Sequence, residues 1–133
     1  MRIHLARPEE AVHLWPQVER ALAGTFDLVK DTHYPTDVLA AILTGQMFLF
    51  VALDGEEVKG ACVAHFTLYP RMKALTEFLV GGKDMPSWIG AMEEATEGFA
   101  RASGCARCEA GGRAGWAGVT RYRKVGVMLR KDL

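Results

Sequence analysis

Ala74-Leu75-Thr76-Glu77-Phe78-Leu79-Val80, then Gly81-Gly82, then Lys83-Asp84-Met85-Pro86: this stretch decides the fold. A long amphipathic segment follows and stops at Gly104, and a short run, Arg107-Cys108-Glu109-Ala110, ends in Gly111-Gly112-Arg113. The pattern reads as strand, glycine turn, helix, strand, glycine turn. Two strands joined through a helix run parallel, with a right-handed crossover. The crevice outside the carboxyl ends of such strands is where open sheets take ligands, and helix N-termini and bare glycine amides there suit a phosphate. Glu77 stands out. Strand alternation puts it on one face with Leu75 and Leu79. A carboxylate among apolar neighbours is either ion-paired or has its pKa raised by desolvation. The first option is an ion pair with a nearby Arg or Lys; the second is a general base.

Working outward, the preceding segment carries three strands. Met47 to Leu53 is unbroken apolar sequence, so both faces of that strand are covered. Asp54-Gly55-Glu56-Glu57 is a hairpin turn. Val58 to Tyr69 forms a long strand, and Tyr69-Pro70-Arg71 turns it into the Glu77 strand, giving an antiparallel meander. His65 lies in the middle strand, on the face of Val63 and Thr67. It reads either as a core histidine with a satisfied hydrogen bond or as a neighbour of substrate.

Before the meander, Ile3 to Ala6 is a short strand and Arg7-Pro8-Glu9-Glu10 opens a helix, with proline and acids in its first turn. Val12, Trp15, Val18 and Leu22 follow at helical spacing. Pro16 is expected to kink or split this helix, and Gly24 to end it. Thr25 to His33 reads as an irregular link. Tyr34-Pro35-Thr36-Asp37 starts a second helix with Val38, Leu39, Ile42 and Leu43 as its stripe, and Gly45 is its C-cap. After the Glu77 strand, the third helix spans Met85 to Ser103, with Trp88, Ile89, Met92, Ala95, Phe99 and Ala100 inward. Arg113 to Tyr122 forms a fourth helix and Val125 to Leu129 a closing strand.

Composition bounds the function. A chain of 133 residues, half of them apolar, with 16 basic and 16 acidic residues, reads as one globular α/β domain over 1–133. Zero net charge gives no global argument for nucleic acid or an anionic membrane surface. No apolar run approaches the roughly 20 residues that span a bilayer. Met1-Arg2-Ile3-His4 lacks a signal-peptide core, and three cysteines leave one unpaired, so a reducing cytoplasm is expected. Cys105-Ala-Arg-Cys108 has the wrong strand parity for one shared metal or redox face, and the four histidines show no metal spacing. From Arg113 to Lys131 six residues are basic and none acidic, a local patch suited to a solvated face or a phosphate.

The element order, together with several motifs, resembles the GNAT superfamily of acetyl-CoA-dependent N-acetyltransferases, and among these the short GNAT-like proteins of tailed bacteriophages. The motifs are Tyr34-Pro35-Thr36-Asp37-Val38-Leu39, Asp54-Gly55, Gly60-Ala61, Tyr69-Pro70-Arg71, Phe78-Leu79-Val80-Gly81-Gly82, Ala100-Arg101-Ala102-Ser103-Gly104-Cys105 and Gly112-Arg113-Ala114-Gly115-Trp116. The resemblance implies a mixed sheet of about six strands, an antiparallel meander joined to a parallel pair, flanked by about four helices. It implies acetyl-CoA held between the two parallel strands, against Phe78, Leu79, Val80, Gly81, Gly82 and Lys83, with Arg113 reaching the ligand or tying the strand ends. Gly81-Gly82-Lys83-Asp84 stands where the superfamily has its Gln/Arg-x-x-Gly-x-Gly/Ala phosphate loop, and Asp84 reads as a helix N-cap. It further implies Glu77 as base and Tyr122, in Tyr122-Arg123-Lys124-Val125-Gly126, as the acid that protonates the leaving thiolate. The acceptor would be an amine of a small molecule or a protein. The alternative is a non-catalytic phage accessory or virion module that binds a phage or host protein.

Overall fold

The apolar runs become one five-stranded sheet with helices on both faces. The computed structural model describes residues 1–111 and 116–133, and the side chains of all of these except Trp116 and Ala117. In chain order come β1 (Arg2–Leu5), α1 (Pro8–Ala21), α2 (Ala23–Leu28), α3 (Pro35–Leu43), β2 (Phe48–Asp54), β3 (Glu57–Leu68), β4 (Lys73–Gly82), a 3-10 turn (Met85–Ser87), α4 (Ile89–Ala102), β5 (Arg107–Ala110) and α5 (Trp116–Val119). The sheet order is β1-β2-β3-β4-β5. All pairs are antiparallel except β4 with β5, which are parallel, as the crossover through α4 requires.

Period-two alternation divides the core. Leu49, Val51 and Leu53 of β2 pack with α1, α2 and α3 through Trp15, Val18, Leu22, Phe26, Val38 and Ile42. Phe50 and Ala52, on the other face, pack with Trp88, Ile89, Met92 and Ala100 of the α4 layer. One irregularity redirects β4. Val63 pairs with Leu79 and Ala64 with Glu77, so Phe78 is an extra residue, a β-bulge. The bulge resets the alternation. Leu75 belongs to the α4 layer, whereas Leu79 belongs to the α1–α3 layer. Glu77 therefore does not share a face with Leu79, contrary to the simple strand reading.

Helix boundaries depart from expectation where packing outweighs propensity. Pro16 neither kinks nor splits α1, which runs unbroken from Pro8 to Ala21. Pro16 lies on the exposed face, and so does Val12, whose carbonyl loses its partner and is left to water. The chain breaks instead at Leu22 and re-enters helix through Gly24. A mid-helix glycine costs about 1 kcal/mol, and burial of Phe26 against Trp15, ring centroids 6.3 Å apart, offsets it. Half of the expected irregular link is thus α2. Val125 to Leu129 is not a strand. Among the described residues no ladder partner reaches it, and Val125, Met128 and Leu129 are 84, 94 and 89% exposed. Of the fourth helix, α5 is described, and it ends before Tyr122.

The start of α1 is fixed by charge. The Arg7 backbone N–H donates to Glu10 Oε1 (2.9 Å), the Arg7 side chain donates to the same oxygen (3.0 Å), and His4 Nε2 lies 2.8 Å from Glu10 Oε2. These contacts, the backbone bond first, hold the Glu10 carboxyl at about 2, below its ordinary 4.5. A depressed carboxyl contributes stability above its unfolded pKa and loses it as pH falls. The melting temperature of wild type should exceed that of Glu10→Gln by a constant margin above about pH 5. The margin should shrink between pH 4.5 and 2, and a pH-independent margin would exclude this role.

Candidate functional site

The β4–β5 ladder is short. It joins Ala74, Leu75, Thr76 and Glu77 to Arg107, Cys108, Glu109 and Ala110 and then stops, while β4 continues to Gly82. A cleft of about 380 Å³ opens there. One wall is the α1–α2 junction, through Ala21, Gly24, Thr25 and Leu28; the other comprises Ala110 and Gly111. Glu77, Phe78, Val80, Gly81 and Gly82 line it from β4, and Met85 closes one end. The Thr25 hydroxyl donates to the Val80 carbonyl (3.0 Å), pinning α2 to the free end of β4. Gly81 allows this approach: a Cβ there would lie 3.0 Å from the Ala21 carbonyl oxygen.

The predicted cofactor residues divide on the structure. Phe78, Val80, Gly81 and Gly82 face the cleft. Leu79 does not; the bulge turns it into the α1–α3 core, where it is fully buried. Lys83 lies beside the cleft. It lines an adjoining hollow of about 250 Å³ with Arg20 and Lys59, and the two spaces share Ala21 and Gly82. The Lys83 N–H is already bonded to the Lys59 carbonyl (2.8 Å), and the Lys83 carbonyl accepts from Trp88 Nε1 (2.7 Å). This backbone is consumed by β3 and Trp88 rather than presented to an anion. Asp84 caps the 3-10 turn rather than α4, in a left-handed conformation (φ 53°), without a side-chain capping bond. Arg113 lies outside the described residues.

Glu77 and Tyr122, distant in sequence, meet. Glu77 is 5% exposed, and the hydroxyls of Thr96, on α4, and Tyr122 lie near enough to act on its carboxyl, while the Thr96 hydroxyl donates to the Glu93 carbonyl (3.1 Å). Burial raises its pKa, and the two hydroxyl contacts oppose this without cancelling it. The net direction is upward, which eases proton exchange at this carboxyl. The expected ion pair is absent among the described residues; hydroxyl contacts take its place. Tyr122 is raised as well, first by burial and then by the nearby Glu77 charge. Tyr122 does not itself line the 380 Å³ cleft; it reaches that space through Glu77. Arg121 holds it there. The Arg121 N–H donates to Glu93 Oε2 (3.0 Å), and its guanidinium pairs with Glu97 and Glu93, strapping the chain onto α4.

Burial raises the pKa of Cys62 and of Cys108, against the thiolate form. Among the described residues, no group of three His, Cys, Asp or Glu side chains is placed to hold a metal ion. Among them, also, no helix is long and apolar enough to cross a membrane. Sequence reasoning missed Ala21 and Thr25, because the cleft's far wall is the α1–α2 junction, and Met85, because it lies in the turn before α4.

No protein-family model matches the sequence, and no curated protein matches it either. Solved structures do match in shape. A tetramutant of the BH1408 protein from Bacillus halodurans superposes with TM-score 0.74 at 17% identity, over 100% of both chains. An aminoglycoside acetyltransferase, meta-AAC0020, from an uncultured soil metagenomic sample, solved with sisomicin, gives 0.73 at 13% identity, over 99% of this chain and 95% of that one. The ribosomal-protein-alanine N-acetyltransferase of Brucella melitensis biovar Abortus 2308 gives 0.68 at 9% identity, over 98% of this chain and 100% of that one. At such identities the architecture is what is shared, and the architecture of this chain is a mixed α/β, GNAT-like fold.

Proposed function

We propose that this protein is an acetyl-CoA-dependent N-acetyltransferase acting on an amine. The observation that carries this reading is the early end of the parallel ladder at Glu77 and Ala110, with a cleft at the carboxyl ends of the two strands. A thioester arm threaded between β4 and β5 would bring its acyl group beside Glu77 and Phe78. The superfamily's phosphate loop is replaced, so side chains take the phosphates in this reading. Arg20, Lys59 and Lys83 line the hollow that joins the cleft at Gly82. On collapse of the tetrahedral adduct, the leaving thiolate takes its proton from the Glu77–Tyr122 pair. Titration calorimetry with acetyl-CoA tests the reading. Binding in the micromolar range supports it, and no heat at millimolar concentration overturns it.

A second reading, a protein-binding module of phage type, has one observation in its favour. The apolar side chains of Val125, Val127, Met128 and Leu129 are 71–94% exposed on the chain after Tyr122. Acetyl-CoA binding with turnover would set it aside.

A further inference from the structure

Acyl transfer needs a base for the incoming amine as well as an acid for the thiolate, and in this reading Glu77 serves the acid. Its carboxyl lies under α4, in the layer opposite α1–α3. One register row away, on the other face, three polar residues align across three strands. His65 of β3 pairs with Thr76 of β4, and Thr76 pairs with Glu109 of β5. All three are half-buried rather than covered by helix. Phe78 connects this row to the cleft, which it lines. Its ring centroid lies 4.7 Å from the His33 ring and 6.3 Å from the His65 ring.

One contact of His65 selects a tautomer for its neutral ring. Nδ1 lies 3.2 Å from the Phe66 carbonyl oxygen, which can only accept, so Nδ1 carries the hydrogen. Nε2 is left with its lone pair, the form a base requires. The other ionisable groups facing this row are His33 on the loop before α3, Glu109 and Arg107 on β5, and Tyr69 after β3. Tyr69 donates to Glu109 (2.7 Å), and Arg107 lies 3.5 Å from the same carboxylate. The hydroxyls of Thr67 and Thr76 are bonded to each other (2.6 Å).

We propose that the row His65, Thr76 and Glu109, with His33 and Phe78, is the acceptor subsite, and that His65 Nε2 is the general base. The fitting acceptor is a small, polar, cationic primary amine. The Glu109 carboxylate attracts it, the threonine hydroxyls hold its polar groups, and Phe78 borders its path to the acyl carbon. The reacting ammonium first gives one proton to Nε2, which frees the amine's lone pair; the neutral amine then attacks, the C–N bond forms, and the second proton leaves the nitrogen for solvent. The C–S bond then breaks, and the thiolate leaves as free thiol with a proton from the Glu77–Tyr122 pair. The products are the amide and CoA.

This inference rests on the transferase reading, and one experiment separates the two. Thiol release from acetyl-CoA is followed across pH with ethylenediamine, glucosamine and spermidine as probe amines. His65→Asn keeps a donor to the Phe66 carbonyl and removes Nε2; His65→Gln serves if that variant fails to fold. The expected loss in kcat/KM is about 100-fold or more, with acetyl-CoA affinity unchanged and the acid limb of the pH profile gone. Activity within about threefold of wild type, with the acid limb unmoved, overturns the role of His65 and leaves the transferase reading intact. No thiol release by wild type with any probe overturns both.

Discussion

Replacing Trp88 with alanine should destabilise the protein by about 3–5 kcal/mol, a fall in melting temperature on the order of 10–20 °C. Trp88 is 1% exposed and among the largest fully buried side chains. It sits on Gly60 of β3, where a Cβ would lie 2.3 Å from the indole, so β3 carries a glycine where the ring lies flat. The indole N–H closes the turn before α4 by donating to the Lys83 carbonyl. Truncation leaves a cavity against Phe50, Ala52, Cys62 and Met92 and a carbonyl without its partner. Thermal denaturation of the two proteins decides. A shift of a few degrees would mean that the Gly60–Trp88 contact does not anchor α4.

The second large effect is on turnover. Glu77→Gln keeps size and hydrogen bonding but holds no exchangeable acid proton, and kcat should fall about 10²–10⁴-fold. Affinity for acetyl-CoA should stay within about threefold, since an interaction made only in the transition state is lost. Tyr122→Phe should act more weakly and more informatively. The Tyr122 hydroxyl lowers the pKa of Glu77, so its removal lets burial raise that pKa further. A donor is lost as pH rises through its pKa, and the basic limb of the kcat profile should therefore move to higher pH in Tyr122→Phe. A basic limb that stays in place, or moves down, would detach this pair from proton transfer.

Much of this fold was legible in the sequence, for identifiable reasons. The unbroken apolar run Met47–Leu53, the Asp54-Gly55 turn and the two glycine-ended strands pointed to the meander and the parallel pair, because apolar runs and turn chemistry are local. β5 was placed at Arg107–Ala110, as found. What was not legible depends on distant contacts. The Phe78 bulge reverses the side of Leu79, and no residue in the strand announces it. α2 runs through Gly24 because Phe26 has Trp15 to pack against. The closing strand failed for the converse reason: Val125–Leu129 has strand-forming residues and, among the described residues, no neighbour to pair with. In the site, the resemblance singled out Glu77 and Tyr122 separately, and their proximity is visible only in three dimensions. The engagement of the Lys83 backbone by Lys59 and Trp88 became visible only in three dimensions.

Everything chemical depends on a thioester entering where β4 and β5 part. Ala110 is exposed at the end of β5 and lines that opening, so Ala110→Trp can fill the cleft without disturbing the core. Acetyl-CoA titrated calorimetrically into wild type and into this variant is the direct measurement. Binding by wild type, weakened about tenfold or more in a variant of unchanged melting temperature, is the predicted result. Equal affinity in both proteins would place the cofactor elsewhere and contradict the account.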